Sequence, residues 1–300
     1  MKLRSSKPLS TLAWLSIAAL ALFLPAAPSL AADPAPAPGR EPRLFQQFFT
    51  DAAMGGQWYE VQMHILSGAV PPMANADGYA IGPVIAISPL KNLEIGGRVF
   101  LMDYDLDNAI PETRNRSSFD GESGLSDLDL FGKYRVLDDQ VKIAVGACLT
   151  LPTGSEDDGL GTGKFVPSVF GAFRGDLGNT IGSFTGVAHL GFRFNQDADI
   201  LGLPLDGKTS VFLGAGFIVK LTENLNWTGE LNVESERFDV QPTGLDEDRL
   251  PVGGIHSDIR ATGGIQWSFA GHSMLRGAAS LGLADASPDF ELFGSYVYRF

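Results

Sequence analysis

The last twelve residues of the chain, DFELFGSYVYRF from Asp289 to Phe300, decide the fold. Apolar and aromatic residues at Phe290, Leu292, Tyr296, Tyr298 and Phe300 alternate with Glu291, Ser295 and Arg299. Strands of bacterial outer-membrane β-barrels alternate in this way because one face meets lipid and the other meets a wet lumen, with aromatic residues at the membrane boundary. The pattern predicts such a barrel, with Tyr296, Tyr298 and the terminal Phe300 as the signal for the barrel-assembly machinery.

The first residues predict export. Three basic residues (Lys2, Arg4 and Lys7) precede an apolar run from Leu9 to Leu24 and a small-residue stretch from Ser29 to Ala32. This order is that of a secretory signal peptide. The apolar run is shorter than the roughly 20 residues that a membrane-spanning helix needs. We therefore expect residues 1–32 to be cleaved off, which gives an exported protein.

The composition excludes some partners. The formal net charge is −13, and it becomes −16 when the three basic residues of the signal are removed. Phosphate backbones require clustered Lys and Arg, and no basic run is present, so nucleic acid is not an expected partner. The single Cys148 cannot form an internal disulfide and is interpreted as a small residue of the barrel wall.

Residues 33–56 are predicted to form a periplasmic leader. Its first part, to Pro42, is rich in Pro and Ala and is typical of an extended linker. Leu44, Phe45, Phe48 and Phe49 then recur at helical spacing, which predicts a short amphipathic segment. The simpler interpretation is a tether that packs on the end of the barrel, and the alternative is a segment that plugs the lumen.

Residues 57–300 are predicted to form a single antiparallel barrel of about twelve strands, an all-β fold. Short links (89–92, 138–140, 176–179, 222–224 and 270–272) alternate with mostly longer ones (67–77, 107–124, 152–164, 195–207, 239–253 and 285–288). Outer-membrane barrels have this asymmetry of short periplasmic turns and long outer loops. A soluble lipocalin-like barrel or a sandwich, in which the apolar face is buried, is the competing fold.

Aromatic residues at the strand ends predict two girdles at the membrane boundaries. The periplasmic girdle would hold Trp58, Tyr59, Tyr134, Trp227, Trp267, Tyr296, Tyr298 and Phe300. The outer girdle would hold Tyr79, Tyr104, Phe165, Phe194 and Phe238.

The other face of the strands carries charges of both signs, which we interpret as lumen or pore-lining residues. A charge left alone in a confined lumen is costly, so these groups are expected to pair across strands and narrow the path. The candidates are Asp127, Asp129, Lys133, Arg135, Lys142, Arg193, Lys220, Glu230, Glu234, Asp258, Arg260 and Arg276.

Two stretches resemble a known family. The strand Asp127-Leu-Asp-Leu-Phe-Gly-Lys-Tyr-Arg135 is followed by Leu149-Thr-Leu-Pro-Thr-Gly154 and by Gly161-Thr-Gly-Lys164. Together they are similar to the MetA-pathway-of-phenol-degradation family of outer-membrane channel proteins, over roughly residues 78–300. The resemblance implies transport of aromatic or other apolar compounds, and it supplies no catalytic residues.

No enzymatic motif accompanies this pattern. The four histidines (His64, His189, His256 and His272) are scattered, without a GxSxG elbow or a metal-ligand spacing, so no catalytic residue, metal or cofactor is expected. The sequence favours a passive outer-membrane channel for small hydrophobic or aromatic solutes, surrounded by lipid and lipopolysaccharide. A structural or surface-interaction barrel with a filled lumen is the alternative, and a lipid-acting enzyme is the third possibility.

Overall fold

The computed structural model describes residues 41–54, 58–67, 76–106, 122–178, 183–240, 255–269, 272–284 and 287–299. The signal-peptide region and Phe300 lie outside these ranges. Within them, no helix is long and apolar enough to cross a membrane.

The described chain after residue 57 folds into strands. They are β1 Trp58–Ser67, β2 Ala76–Leu90, β3 Leu93–Arg98, β4 Leu101–Leu106, β5 Glu122–Leu125, β6 Leu128–Asp138, β7 Val141–Leu151, β8 Val166–Gly178, β9 Phe184–Phe194, β10 Ala198–Ile200, β11 Leu203–Gly207, β12 Thr209–Lys220, β13 Leu225–Glu234, β14 Phe238–Val240, β15 Asp258–Phe269, β16 Ser273–Gly282 and β17 Phe290–Arg299.

Fourteen of these strands form one closed antiparallel sheet. Its order is β1-β17-β16-β15-β13-β12-β9-β8-β7-β6-β3-β2, with β4 and β5 continuing beyond β2, and β1 also pairs with β2. Because β3 and β4 both pair with β2, they act as one strand interrupted at Val99 and Phe100. In the same way β5 and β6 form one strand interrupted at Ser126 and Asp127. The prediction of a barrel of twelve spanning strands is confirmed.

Successive side chains along each strand point alternately to an apolar outer face, which suits contact with lipid, and to a buried inner face. In β17, Phe290, Leu292 and Tyr296 are exposed, whereas the side chains of Glu291 and Val297 are buried. The same period of two is present in β6, β7 and β12, whose exposed positions are mainly Val, Leu, Ile and aromatic residues. An apolar surface of this extent is the one that a barrel presents to hydrocarbon rather than to water.

The two ends of the barrel differ in their connections. At one end the strands are joined by short links, such as 91–92, 139–140 and 222–224, and we call it the short-turn end. The other, long-loop end carries a small second sheet of β10, β11 and β14. The segment 195–207, expected to be a loop, therefore contains a hairpin.

That hairpin turns through Leu201 and Gly202, which both have positive φ, 55° and 73°. A leucine in this region is strained, and the strain is offset because Leu201 is buried in an apolar cluster. The cluster joins the small sheet to the barrel mouth through Tyr104, Leu160 and Phe238, among others. It forms a cap over the long-loop end.

Three of the residues predicted for the aromatic girdles face inward instead. Trp58 is fully buried and packs inside the barrel, and Tyr104 and Phe238 belong to the buried cap cluster. The side chains of Tyr134, Trp227, Trp267, Tyr296, Tyr298, Phe165 and Phe194 are exposed on the outer surface. Each predicted girdle therefore keeps part of its members and loses those that face inward.

Candidate functional site: a plugged lumen

Residues 41–54 lie inside the barrel at its short-turn end, and we call them the plug. They form consecutive turns rather than a regular helix. Leu44, Phe45, Phe48 and Phe49 are all buried against side chains of the wall, which is the arrangement of the plug alternative and not that of a tether on the end of the barrel. Their neighbours belong to many different strands of the wall, so the contacts are those of a segment that fills the lumen.

Arg43 anchors the plug to one side of the wall. Its guanidinium donates to both carboxylate oxygens of Glu94 in β3, with Nη1–Oε1 at 2.9 Å, and both side chains are completely buried. Lys133 in β6 lies 3.2 Å from the same carboxylate. Burial alone would lower the pKa of Arg43, but the charge of Glu94 raises it above its ordinary value, so the guanidinium stays charged in the dry interior.

A second anchor lies at Asp51. The carboxylate accepts hydrogen bonds from Arg174 in β8, at 3.0 and 3.2 Å, and the Asp51 carbonyl accepts one from Lys133 at 2.6 Å. Arg135 in β6 donates to the carbonyl of Ala52, at 2.9 and 3.2 Å. The plug has no regular secondary structure to pair these carbonyls. They accept hydrogen bonds from cationic side chains of the wall instead.

Glu41 closes the network near the short-turn end. It pairs with Arg135 at 2.7 Å and with Lys142 in β7. Burial would raise the pKa of Glu41, but the hydrogen bond from Lys142 and the charge of Arg135 outweigh it and hold the pKa below its usual range.

The opposite side of the plug is held by Glu230 and Arg276. Glu230 in β13 accepts hydrogen bonds from the backbone N–H groups of Phe45, at 2.5 Å, and Gln46, at 3.1 Å. Arg276 in β16 donates to the carbonyls of Arg43 and Leu44 and pairs with Glu60 in β1 at 2.8 Å. The sequence analysis missed Glu60. It lies two residues before Gln62 in β1, so both side chains point to the inner face of the barrel.

Aromatic contacts complete the packing of the plug. Phe49 stacks on Phe131 with ring centroids 4.2 Å apart, and Phe45 meets Phe293 edge-on at 4.7 Å. Phe48 packs against Trp58. Such pairs add to the apolar burial, so the plug has its own small core inside a charged ring.

Between the plug and the cap the lumen is lined by partly exposed ion pairs. Arg98 pairs with Asp129 at 2.9 Å, and Arg193 pairs with Glu234 at 2.8 Å. Arg260 pairs with Asp258 at 2.5 Å. Arg98 is 35% and Arg193 is 28% exposed at the side chain, so this middle section contains open space, which we call the chamber.

The motif residues Asp127, Gly154 and Thr162 meet at the long-loop end. The Asp127 carboxylate accepts hydrogen bonds from the N–H groups of Gly154, at 3.0 Å, and Thr162, at 2.8 Å. A Cβ at Gly161 would lie 2.2 Å from Asp127 Oδ1, which explains glycine there. Asp127 therefore holds the loop 152–165 and does not line the chamber as a free charge.

The remaining candidate residues lie at the rims or on the outside. Lys220 pairs at 2.8 Å with Glu223 at the short-turn rim, where both side chains are exposed. Tyr296 and Tyr298 lie on the outer face. Among the described residues no group of His, Cys, Asp and Glu is arranged to hold a metal ion.

A pocket of about 290 Å³ opens at the short-turn end beside the plug. It is lined by Pro42 of the plug and by wall residues of β9, β12 and β13, including Thr185, Ile218 and Asn226. No ion pair crosses from plug to wall among these described residues; the contact here is made by Leu44 against Val187 and Ile218. The aliphatic packing of Leu44 thus adds to the hydrogen bonds that Glu230 and Arg276 make with the neighbouring plug backbone.

Comparison with known proteins agrees with this architecture. Residues 74–300 match the family model described as "Putative MetA-pathway of phenol degradation". The fold is similar to a COG4313 outer membrane channel from Pseudomonas putida F1, with a TM-score of 0.57 and 16% identity over 84% of this chain and 98% of that one. It is also similar to the NanC porin, with a TM-score of 0.51 and 8% identity over 81% and 100% of the two chains. No curated protein matches the sequence.

Proposed function

Since the chain belongs to the MetA-pathway-of-phenol-degradation family, we propose that it is a passive outer-membrane channel for the uptake of small hydrophobic molecules, with one-ring aromatic compounds as the principal class. The barrel is an outer-membrane protein by its closed sheet and its apolar exterior. The solute class is the part of the proposal that experiment must decide.

The observation that carries the proposal is that a separate segment, and not the wall, closes the short-turn end of the lumen. The plug is a separate segment, tied by ion pairs to Glu94 and Arg174 and by hydrogen bonds to Arg276. Strand ladders do not include it. Because its bonds can break without opening the barrel, displacement of the plug is compatible with an intact wall.

The form of the lumen supports solutes of low polarity over ions. Ion pairs such as Arg193 with Glu234 leave few single charges to draw an ion of either sign into the chamber. Phe100 and Phe212 add aromatic surface to the same section. A small apolar solute with a weakly polar group suits such a lining better than a hydrated ion.

The filled-lumen alternative has its own observation. The plug packs tightly, with Phe48, Trp58 and Glu60 almost fully buried, and the cap covers the other end. A purely structural barrel would keep both closures under all conditions.

A planar-bilayer recording separates the two functions. The refolded protein should give small, stable current steps, and added toluene should reduce their amplitude as it enters the chamber. A sugar of similar size is the control and should leave the current unchanged. Protein shown to be folded that gives neither current nor a toluene effect would contradict the channel and favour the structural barrel.

A further inference from the structure

We propose that the ring of Phe49 fills a ring-binding site at the floor of the chamber, where the chamber meets the plug, and that an aromatic solute binds there by displacing Phe49. The plug is then an internal competitor of the solute as well as a closure of the lumen. The solute class rests on the proposed function, and the inference adds to it a site and a competition for that site.

Phe131 of β6 supplies an aromatic surface on the wall. Its partner in the register of the sheet is Gly96 of β3, and a Cβ at Gly96 would lie 2.5 Å from Phe131 Cε1. The ring of Phe131 therefore takes the space that a side chain at Gly96 would fill. Phe49 covers one face of this ring in a stacked contact, with ring centroids 4.2 Å apart.

A cation lies over the ring of Phe49 as well. The guanidinium carbon of Arg98 is 4.7 Å from the centroid of the Phe49 ring. Stacking and cation–π attraction both act through the π face of a ring, and a saturated ring of the same size gains neither. Phe49 is thus held as an aromatic ligand is held, by one stacked ring and one guanidinium.

The surroundings of Phe49 reach the open space of the chamber. The side chain of Arg98 is 35% exposed. Cys148 of β7, the register partner of Phe131, packs against the same apolar cluster and is partly exposed. A solute in the chamber can therefore approach the edge of this site without first moving the plug.

Two other phenylalanines of the plug lie in closed surroundings. Phe45 lies under the guanidinium of Arg276 and Phe48 under that of Arg43. Both of these arginine side chains are buried. Of these three phenylalanines, Phe49 is therefore the ring that a solute in the chamber meets first.

Displacement of Phe49 leaves the anchors of the plug in place. The ion pair of Arg43 with Glu94 and that of Asp51 involve other side chains. Rotation about the two side-chain bonds of Phe49 takes its ring off Phe131. The stacked contact and the cation–π contact then pass to the ring of the solute, so the exchange replaces like with like.

Fluorine NMR tests the displacement in the full-length protein. 4-Fluorophenylalanine at position 49 places a reporter on the ring that stacks on Phe131, and the same label at position 45 is the matched control. Toluene should move the resonance of position 49 to that of an unstacked ring and leave the resonance of position 45 unchanged. Methylcyclohexane, which is of similar size and is not aromatic, should move neither. A position-49 resonance that stays in place up to the solubility limit of toluene would overturn the competition.

Phe49→Ala tests the site itself, with the native Cys148 as the reporter. The change removes the competitor and leaves Phe131 and Arg98 in place, so a small thiosulfonate reagent should modify Cys148 faster than in the parent protein, and toluene should protect it. Half-protection should need about fivefold less toluene than in Phe49→Leu, whose side chain still fills part of the site.

A second change removes the stacking ring. Phe131→Leu in the Phe49→Ala protein should raise the toluene concentration for half-protection about fivefold. Equal toluene requirements of Phe49→Ala with and without Phe131→Leu would overturn the site.

Uptake of toluene by intact cells separates this inference from the proposed function. Uptake together with an unmoved position-49 resonance would leave the channel standing and overturn the competition. A moved position-49 resonance without uptake would support the ring-binding site and contradict the channel.

Discussion

Arg43 and Glu94 form a two-pronged ion pair in which neither side chain has any exposed surface. The two residues are 51 positions apart in the chain, and their pairing fixes the plug against β3. Breaking one partner of a buried pair leaves the other charge without compensation. The pair is therefore a main element that keeps the lumen closed.

Arg43→Met should release the plug. We expect the free energy of unfolding in urea to fall by about 3–5 kcal/mol and the single-channel current to rise. Lys220→Met, which breaks an exposed rim pair, is the control and should stay within about 0.5 kcal/mol of the parent protein. Equal, small effects of the two changes would show that Arg43 does not hold the plug.

Acid should loosen the plug at Glu41. Its pKa in the folded protein is below its ordinary value, so its contribution is complete above the unfolded pKa of about 4.3 and is lost as the pH falls towards the folded value.

Current recordings at neutral pH and near pH 3 check this prediction. The parent protein should conduct more at the acid pH, and Glu41→Gln should conduct more already at neutral pH and respond less to acid. A Glu41→Gln protein with the same acid response as the parent would place the sensitive group elsewhere.

Asp127 should fix the loop 152–165. Asp127→Asn turns an acceptor into a group with an N–H donor that faces the N–H groups of Gly154 or Thr162, so at least one hydrogen bond is lost, at a cost of about 1–3 kcal/mol. Trypsin should then cut after Lys164 faster than in the parent protein. Asp157→Asn, at an exposed position of the same loop, is the control and should keep the parental rate. Equal cleavage rates of the two variants would show that Asp127 does not hold the loop.

Gly214 and Gly171 should respond oppositely to alanine. A methyl group at Gly214 would push aside Gln47, Asn232 and His189, at a typical cost of about 1–3 kcal/mol. Gly171 faces outward, with no atom within 4 Å of its added Cβ, so Gly171→Ala should be neutral or slightly stabilising. Urea unfolding of the two variants measures both effects, and a neutral Gly214→Ala would mean that the plug does not press on β12.

The barrel was predictable from sequence because its signal is local. The alternation in β17 and the short links between strands depend on near neighbours only. The parity rule could also have placed Trp58 correctly, since it shares a face with Glu60 and Gln62 rather than with Tyr59. Phe238 was misplaced for another reason. It belongs to β14 of the small sheet, a strand too short for an alternating pattern to predict it.

The site was only partly predictable because its contacts are long-range. Charges facing the lumen were identified, but the partners of several of them are atoms of the plug, as Arg135 and Glu230 show. Other partners lie on different strands of the wall, as in the pairs of Arg193 with Glu234 and of Arg276 with Glu60. The plug has no regular secondary structure, so its sequence has no periodic pattern from which its position in the lumen could be predicted.

Uptake of labelled toluene by intact Gram-negative cells tests the central claim most directly. Toluene crosses phospholipid bilayers unaided, so the cells must retain the lipopolysaccharide leaflet that slows it. Cells that carry the protein should accumulate toluene several-fold faster in the first seconds than cells without it, with no change for a sugar of similar size. Equal toluene rates in the two kinds of cell, with folded protein present in the outer membrane, would contradict a channel for hydrophobic molecules.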